Sequence, residues 1–139
     1  MADGVIRIAA ALAEAPDGRL VLVRKRDTRF FMQPGGKIEA REEPVDALRR
    51  ELEEELGAVL PPDLGPPLGL FTAPAAHEPG HLVEAWLFHV RLPHAPVIGA
   101  EIAEHALVGA DGADHLMLAP LTREHVMPLW RRLRSGRFS

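Results

Sequence analysis

Residues 5 to 13, "VIRIAAALA", are apolar almost throughout and read as a buried strand. "APDGR" then supplies a turn, and "LVLVRKR" (Leu20 to Arg26) reads as a second strand, so the two together predict a hairpin. "RFFMQ" is a short third strand candidate that ends at Pro34-Gly35-Gly36. The period then changes. Val45, Leu48, Leu52 and Leu56 recur at helical spacing, Pro44 suits the first turn, where a missing N–H is harmless, and Gly57 suits the C-terminal cap. "PPDLGPP" (Pro61 to Pro67) is too rich in proline and glycine for regular structure. "LGLFTA" and "LVEAWLFHV" read as strands around the loop "PAAHEPGH", "IAEHALV" as a last strand, and "LTREHVMPLWRRLR" as a C-terminal helix interrupted at Pro128. With no repeat and no long linker, strands bracketing one strong helix predict a single α/β layered domain with a mixed sheet over residues 1–139.

The polar positions of the first helix conflict with local stability. Glu51, Glu53, Glu54 and Glu55 stand close together at the end of a helix where the macrodipole favours cations, and carboxylates three or four residues apart repel. At about 100° per residue, with Val45 at zero, the leucines fall within about 60° of it. Glu51, Glu54 and Glu55 lie near 240°, 180° and 280°, one flank roughly 100° wide, while Glu53 falls near 80° and Arg50 near 140°, away from the cluster. Converging carboxylates beside a core edge need compensation, which a hard divalent cation supplies through oxygen ligation. A solvated acidic face is the plainer reading of such a run. The upstream Pro34-Gly35-Gly36 favours the metal, because glycine permits close backbone approach and its carbonyl could join the ligands.

Composition narrows the setting. The chain has 139 residues, 47% of them hydrophobic, enough for one real core. A formal net charge of −4 argues against a nucleic-acid polymer as partner, and the absence of cysteine removes disulfides, thiol chemistry and thiolate zinc sites. The N-terminal segment lacks a basic n-region, and Arg7 and Glu14 interrupt its apolar run, so it predicts neither a signal peptide nor a membrane span; a cytoplasmic protein is the expectation.

Gly36, Glu42, Arg50, Glu51, Leu52, Glu54, Glu55 and Gly57 stand at the spacing G-x5-E-x7-R-E-U-x-E-E-x-G, where U is a bulky aliphatic. Chance agreement at the fixed positions is on the order of one in 10⁸ per start position. The stretch 36–58 resembles the Nudix box, and the order of the flanking elements resembles the MutT-like branch of that superfamily. The resemblance implies the Nudix fold, an α/β/α sandwich around a mixed β-sheet. Two departures stand out: Ala58 occupies the final U position, and Arg41 stands where many relatives have a second glycine.

By the same resemblance the chain hydrolyses a nucleoside diphosphate linked to a further group, with Mg²⁺ or Mn²⁺ bridging the phosphates. It implies Glu54 and Glu55 as metal ligands with the Gly36 carbonyl, and Glu51 as a ligand or the water-activating base. Arg50 and Glu42 would orient the loop and helix, with Gly57 closing the motif. Glu101 is the first candidate for a ligand outside the box, ahead of Glu78 and Glu104. Lys37 is the best candidate for phosphate contact. Of Arg24 and Lys25, which alternate across a strand, at most one faces the site. Phe30, Phe31 or Phe71 could stack on a base, and His77 or Glu78 could overhang the site.

"HEPGH" (His77 to His81) matches the H-E-x-x-H zinc motif in letters only, because that chemistry needs a helix and Pro79-Gly80 predicts a loop. The chain has no tyrosine, so the downstream Tyr of dinucleoside polyphosphate hydrolases is absent, as is the S-Q-P-W-P-F-P-x-S array of NADH-type members. Pro74 lies 17 residues beyond Gly57, near where ADP-ribose-type members carry a proline. "FFMQPGGKIE" looks most like nucleoside triphosphate pyrophosphohydrolases, including those acting on oxidised guanine nucleotides such as 8-oxo-dGTP. The alternatives are an ADP-ribose or nucleotide-sugar pyrophosphatase and a non-catalytic nucleotide sensor, against which the intact glutamate set argues. Nudix proteins often dimerise, and no residue pattern here decides whether this chain forms a homodimer.

Overall fold

One strand is buried on both faces and sets the architecture. In the computed structural model, which describes residues 4–109 and 112–136, β1 (Val5–Glu14) lies inside the sheet. Its Ala9, Ala11 and Ala13 belong to the same core as Leu48, Leu52 and Leu56 of helix α1 (Pro44–Leu56). Ala10 and Leu12 belong to a second core with Val126, Met127, Leu129 and Trp130 from the C-terminal helical segment. Side chains alternate across a strand, so two cores on one strand mean helices on both sides of the sheet. The ends of the domain expected over 1–139 lie outside the described residues.

The remaining strands are β2 (Leu20–Lys25), β3 (Gly35–Lys37), β4 (Gly69–Pro74), β5 (Leu82–Arg91) and β6 (Ile102–Val108). The sheet order is β4-β5-β1-β2-β6, with β3 also on β1. β1 and β5 run parallel from Val5↔Leu82 to Glu14↔Arg91, and the other pairings are antiparallel, which makes the sheet mixed. The expected hairpin forms, but β2 meets β1 only at Glu14↔Leu20. Farther along, residues 31–37 wedge between the two strands: Met32 pairs with Val23, the Ala11 N–H donates to the Pro34 carbonyl at 2.9 Å, and β3 pairs with Ile8–Ala10.

That wedge corrects the reading of "RFFMQ" as a strand. Phe31 and Met32 each form a single bridge, to Leu118 and Val23 respectively, so the apolar run serves two neighbours instead of one ladder. Regular pairing falls on the glycines. Gly35 has φ 144°, and a Cβ there would collide with the Ala9 carbonyl and the Ala10 backbone, so only glycine lets the chain pass this close to β1.

Helix α1 begins after Glu43, whose N–H donates to Asp46 Oδ2 at 3.2 Å, and ends at Gly57 in the left-handed conformation (φ 66°). Leu48, Leu52 and Leu56 are fully buried, and Val45 packs half-buried at the same core. The interruption expected at Pro128 takes a specific form. A proline ring collides with the carbonyl four residues earlier, here that of Glu124. The chain widens into a π-helical turn at Thr122–Val126, where the Met127 N–H reaches the Thr122 carbonyl, and then continues as α2 (Met127–Arg134). Among the described residues no helix is long and apolar enough to cross a membrane.

Candidate active site

The glutamates of α1 meet the glycine wedge. Glu55 is buried to 3% exposure. Its Oε1 accepts from the Gly35 N–H at 3.3 Å, and its Oε2 lies 3.6 Å from Lys25 Nζ. Burial pushes its carboxyl up to about 8; Lys25 pulls the other way, and a hydrogen bond with Glu51 adds to the rise. Glu51 lies flush against Gly36, where a Cβ would come within 2.7 Å of both carboxylate oxygens. That contact explains why the motif has glycine at this position.

Arg50 holds the loop to the helix. Its Nε and Nη2 each donate to Glu42 at 2.9 Å, Nη2 also donates to the Lys37 carbonyl at 3.1 Å, and Nη1 donates to Glu51 at 2.7 Å. The helical wheel turned Arg50 away from the cluster, but the long side chain reaches back to Glu51. The pairing draws the Glu42 carboxyl down to about 2 and raises the Arg50 guanidinium, so this pair stays charged. Arg50 therefore positions Glu51 and does not project into the cleft.

A cleft of about 250 Å³ opens beside the wedge, lined by Lys25, Gly35, Gly36, Lys37 and Glu78 with a wall that includes Ile6, Ile8, Met32 and Leu121. Lys25, not Arg24, faces the carboxylates, whereas Arg24 pairs with Glu104 at 2.8 Å across β6. The Arg24 assignment is corrected by strand alternation itself, together with the register shift between Arg24 and Lys25. Lys37 is exposed at the mouth. Phe31 packs half-buried in the second core, bridged to Leu118, and does not line the cleft. Phe30 lies against His77, with ring centroids 5.4 Å apart. The segment Ala75–His81 is a loop, as Pro79-Gly80 predicted, and it brings His77 and Glu78 to the rim.

Two proposed ligands stand apart from the meeting point. Glu54 is exposed, one turn from Glu51 on the same helix, and Glu53 is exposed as well. The Glu101 side chain is exposed, while its carbonyl accepts from the Arg26 N–H at 2.9 Å. Glu101 follows a segment tied to the end of α1, where Val97 and Gly99 donate to the Leu56 and Glu55 carbonyls at 2.9 and 3.0 Å. Among the described residues no three acidic or histidine side chains are arranged to hold an ion together. The donor chemistry nevertheless fits a hard cation. Glu51 and Glu55 bring carboxylate oxygens together at a buried position, where a hard cation would take the place of the proton that burial favours on Glu55. Sequence reading passed over Gln33 and Thr122, which share a buried hydrogen bond of 2.7 Å at the cleft. The signal for Gln33 was a lone amide inside an apolar run.

This geometry, a glycine-rich wedge meeting a glutamate helix on a mixed sheet, agrees with what comparison with known proteins finds. The chain belongs to the Nudix family, whose NUDIX domain model matches residues 5–128. Nudix hydrolases act on phosphoric anhydrides and generally use divalent metal ions. An 8-oxo-dGTP diphosphatase of Haemophilus influenzae is 41% identical over 59 residues, 40% of this chain and 43% of that protein. The aligned stretches cover less than half the length of the curated relatives. A MutT protein from Methanosarcina mazei Go1 superposes with a TM-score of 0.77 at 20% identity, over 96% of this chain and 98% of that one. A UDP-X diphosphatase does so with a TM-score of 0.75 at 20% identity, over 95% and 64%. At such identities these two structures speak for the fold.

Proposed function

We propose that the chain, as one domain over 1–139, is a pyrophosphohydrolase that cleaves a nucleoside triphosphate to the monophosphate and pyrophosphate, oxidised guanine nucleotides such as 8-oxo-dGTP included. The observation that carries this reading is the placement of Glu51 and Glu55 against Gly36, Gly35 and Lys25, three residues that line a largely apolar cleft with Lys37 at its mouth. An apolar slot suits a base, and cations beside carboxylates suit a phosphate chain with its metal. The sequence of the Haemophilus 8-oxo-dGTP diphosphatase, alike over the stretch it shares, supports the same substrate class.

In this reading Glu51, Glu54 and Glu55, with the Gly36 carbonyl and Glu101, hold Mg²⁺ or Mn²⁺, which when bound offsets phosphate charge and activates water. Arg50 keeps Glu51 in place through the bond at 2.7 Å. Glu55 would hold the ion as a carboxylate, its proton released to solvent. Lys25 and Lys37 draw in the phosphates, and Glu78 meets the nucleoside at the rim. The protein is cytoplasmic and acts without a nucleic-acid polymer or a membrane.

A substrate panel of nucleoside triphosphates, ADP-ribose and nucleotide sugars, run with Mg²⁺ and with Mn²⁺ and read as phosphate after phosphatase coupling, tests the proposal. Turnover of triphosphates above the rest is expected. Preference for ADP-ribose or a nucleotide sugar would replace it with the alternative that the UDP-X diphosphatase fold neighbour brings to mind. Tight binding without product over hours would make the domain a sensor. Glu54→Gln should abolish turnover with the fold intact, and Glu53→Gln should be nearly silent. An undiminished rate in Glu54→Gln would sink the assignment.

A further inference from the structure

We propose that Gln33, held in place by Thr122, reads the base in the cleft and favours bases that present a keto oxygen over those that present an amino group. The inference rests on the nucleotide reading above and adds to it which face of the base is recognised, and by what.

Gln33 is 5% exposed and lines the cleft. Its Oε1 accepts from the Thr122 hydroxyl at 2.7 Å, a bond between two buried side chains 89 residues apart. Its Nε2 makes no hydrogen bond among the described residues. Among the described residues, the buried side-chain polar atom that lacks both a partner and any access is Trp86 Nε1. Gln33 itself lines the cleft, and we place its Nε2 on that side, opposite the oxygen held by Thr122. A nearly buried donor without a partner faces an otherwise apolar wall of Ile6, Ile8, Met32 and Leu121.

The mount is rigid on both sides. Met32 and Val23 exchange backbone bonds at 2.8 Å; Phe31 donates to the Met117 carbonyl at 2.8 Å, and Ala119 donates to the Phe31 carbonyl at 3.0 Å. Those bonds fix the residues just before Gln33 and bring the 117–121 segment alongside. Thr122 opens the π-helical turn, a local irregularity that places its hydroxyl on Gln33. With Oε1 turned onto the Thr122 hydroxyl, the amide presents its two N–H donors to the cleft. A keto oxygen satisfies such a donor, whereas an exocyclic amino group leaves two donors facing each other in a dry slot. The slot therefore takes a flat ring edged by a carbonyl: a 6-oxopurine, or a pyrimidine with a keto group at the matching position.

The sharpest comparison is dITP against dATP, which differ at C6. Wild-type enzyme should favour dITP by roughly 10- to 100-fold in kcat/KM, from the cost of an unpaired buried donor. Gln33→Ala should bring the two within about twofold to threefold of each other, chiefly by losing activity on dITP. Thr122→Val frees the amide at nearly equal volume and should lower the preference, and Thr122→Ser, which keeps the hydroxyl, should restore it. A purely structural role for Thr122 would instead weaken both substrates alike. Binding of dIMP and dAMP, measured calorimetrically in metal-free buffer, separates this inference from the proposed reaction. If no triphosphate is hydrolysed but dIMP binds more tightly than dAMP in wild type and not in Gln33→Ala, the base assignment stands and the reaction does not. Equal use and equal binding of the two bases by wild type, or a preference that survives in Gln33→Ala, would overturn it.

Discussion

Arg41 holds a backbone conformation (φ 71°) that brings Cβ too near the following carbonyl, at a position where many Nudix boxes have glycine. Left-handed geometry costs a non-glycine residue about 1–2 kcal/mol, and glycine gives back part of that through its freer unfolded chain. Arg41→Gly should therefore stabilise the protein by about 0.5–1 kcal/mol, read as a higher urea midpoint at unchanged m-value. The neighbouring Glu42 sets a pH dependence. Its carboxyl lies near 2 in the fold, against 4.5 as its ordinary value, because Arg50 bonds to it. A lowered carboxyl contributes stability that is complete above the unfolded value and is lost as pH falls through the folded one. The stability gap between wild type and Glu42→Gln should stay constant from pH 8 to about 5, narrow below about 4.5 and vanish near 2. A gap unchanged at pH 2.5 would mean that Glu42 acts through shape and not charge. The residue scale also shows where sequence reading ended. Glu51 and Glu55 share one helix, so their approach could be read from spacing alone. Arg50 defeated the wheel, because a wheel gives the direction of Cβ and not the reach of a long side chain.

At the scale of elements, both ends of α1 were legible because the chemistry is local: Pro44 at the start and Gly57 at the stop. What spacing could not show is that the helix end is covered from far along the chain. Val97 and Gly99 donate to the Leu56 and Glu55 carbonyls, and the Gly57 Cα faces Val97 closely enough that a Cβ would sit 3.2 Å from it. Gly57→Ala combines a left-handed backbone with that crowding and should cost about 1–2 kcal/mol in chemical denaturation. Turnover of the folded variant should fall as well, since the same segment leads to Glu101. Loss of stability with full activity would detach residues 97–101 from the site. The misreading of "RFFMQ" has a similar origin. Apolar content identified a buried extended segment, but whether it pairs with one neighbour or two depends on β2 and on residues 117–119, more than 80 positions away. Lys25 and Gln33 line the cleft from either side of a turn, and Thr122 supports Gln33 from the far end of the chain, so no motif could carry them.

Across the whole molecule, the unbroken apolar run of β1 foretold a buried strand, and its burial on two faces is what makes the fold a three-layer one. The order in which strands join was not legible, because the parallel β1–β5 pairing closes across an interval that contains β2, β3, α1 and β4. The same strand separates the functions of its two ends. Ile6 and Ile8 line the cleft, whereas Glu14, at the other end, is a buried carboxylate that ties β5 and α2 together. Its Oε2 accepts from Trp130 Nε1 at 2.9 Å, and its Oε1 lies 3.0 Å from His89 Nε2. At about 3.3 Å per residue, Ile8 and Glu14 are roughly 20 Å apart. Trp130→Phe keeps an aromatic ring in the core but leaves one oxygen of a buried carboxylate unpaired and opens a small cavity. The expected loss is about 2–3 kcal/mol in a denaturant titration. Because the change falls at the far end of β1, kcat/KM of the folded variant should stay within about twofold of wild type below its melting range. A drop in turnover without a matching loss of stability would mean that the polar tie at Glu14 is coupled through β1 to the cleft.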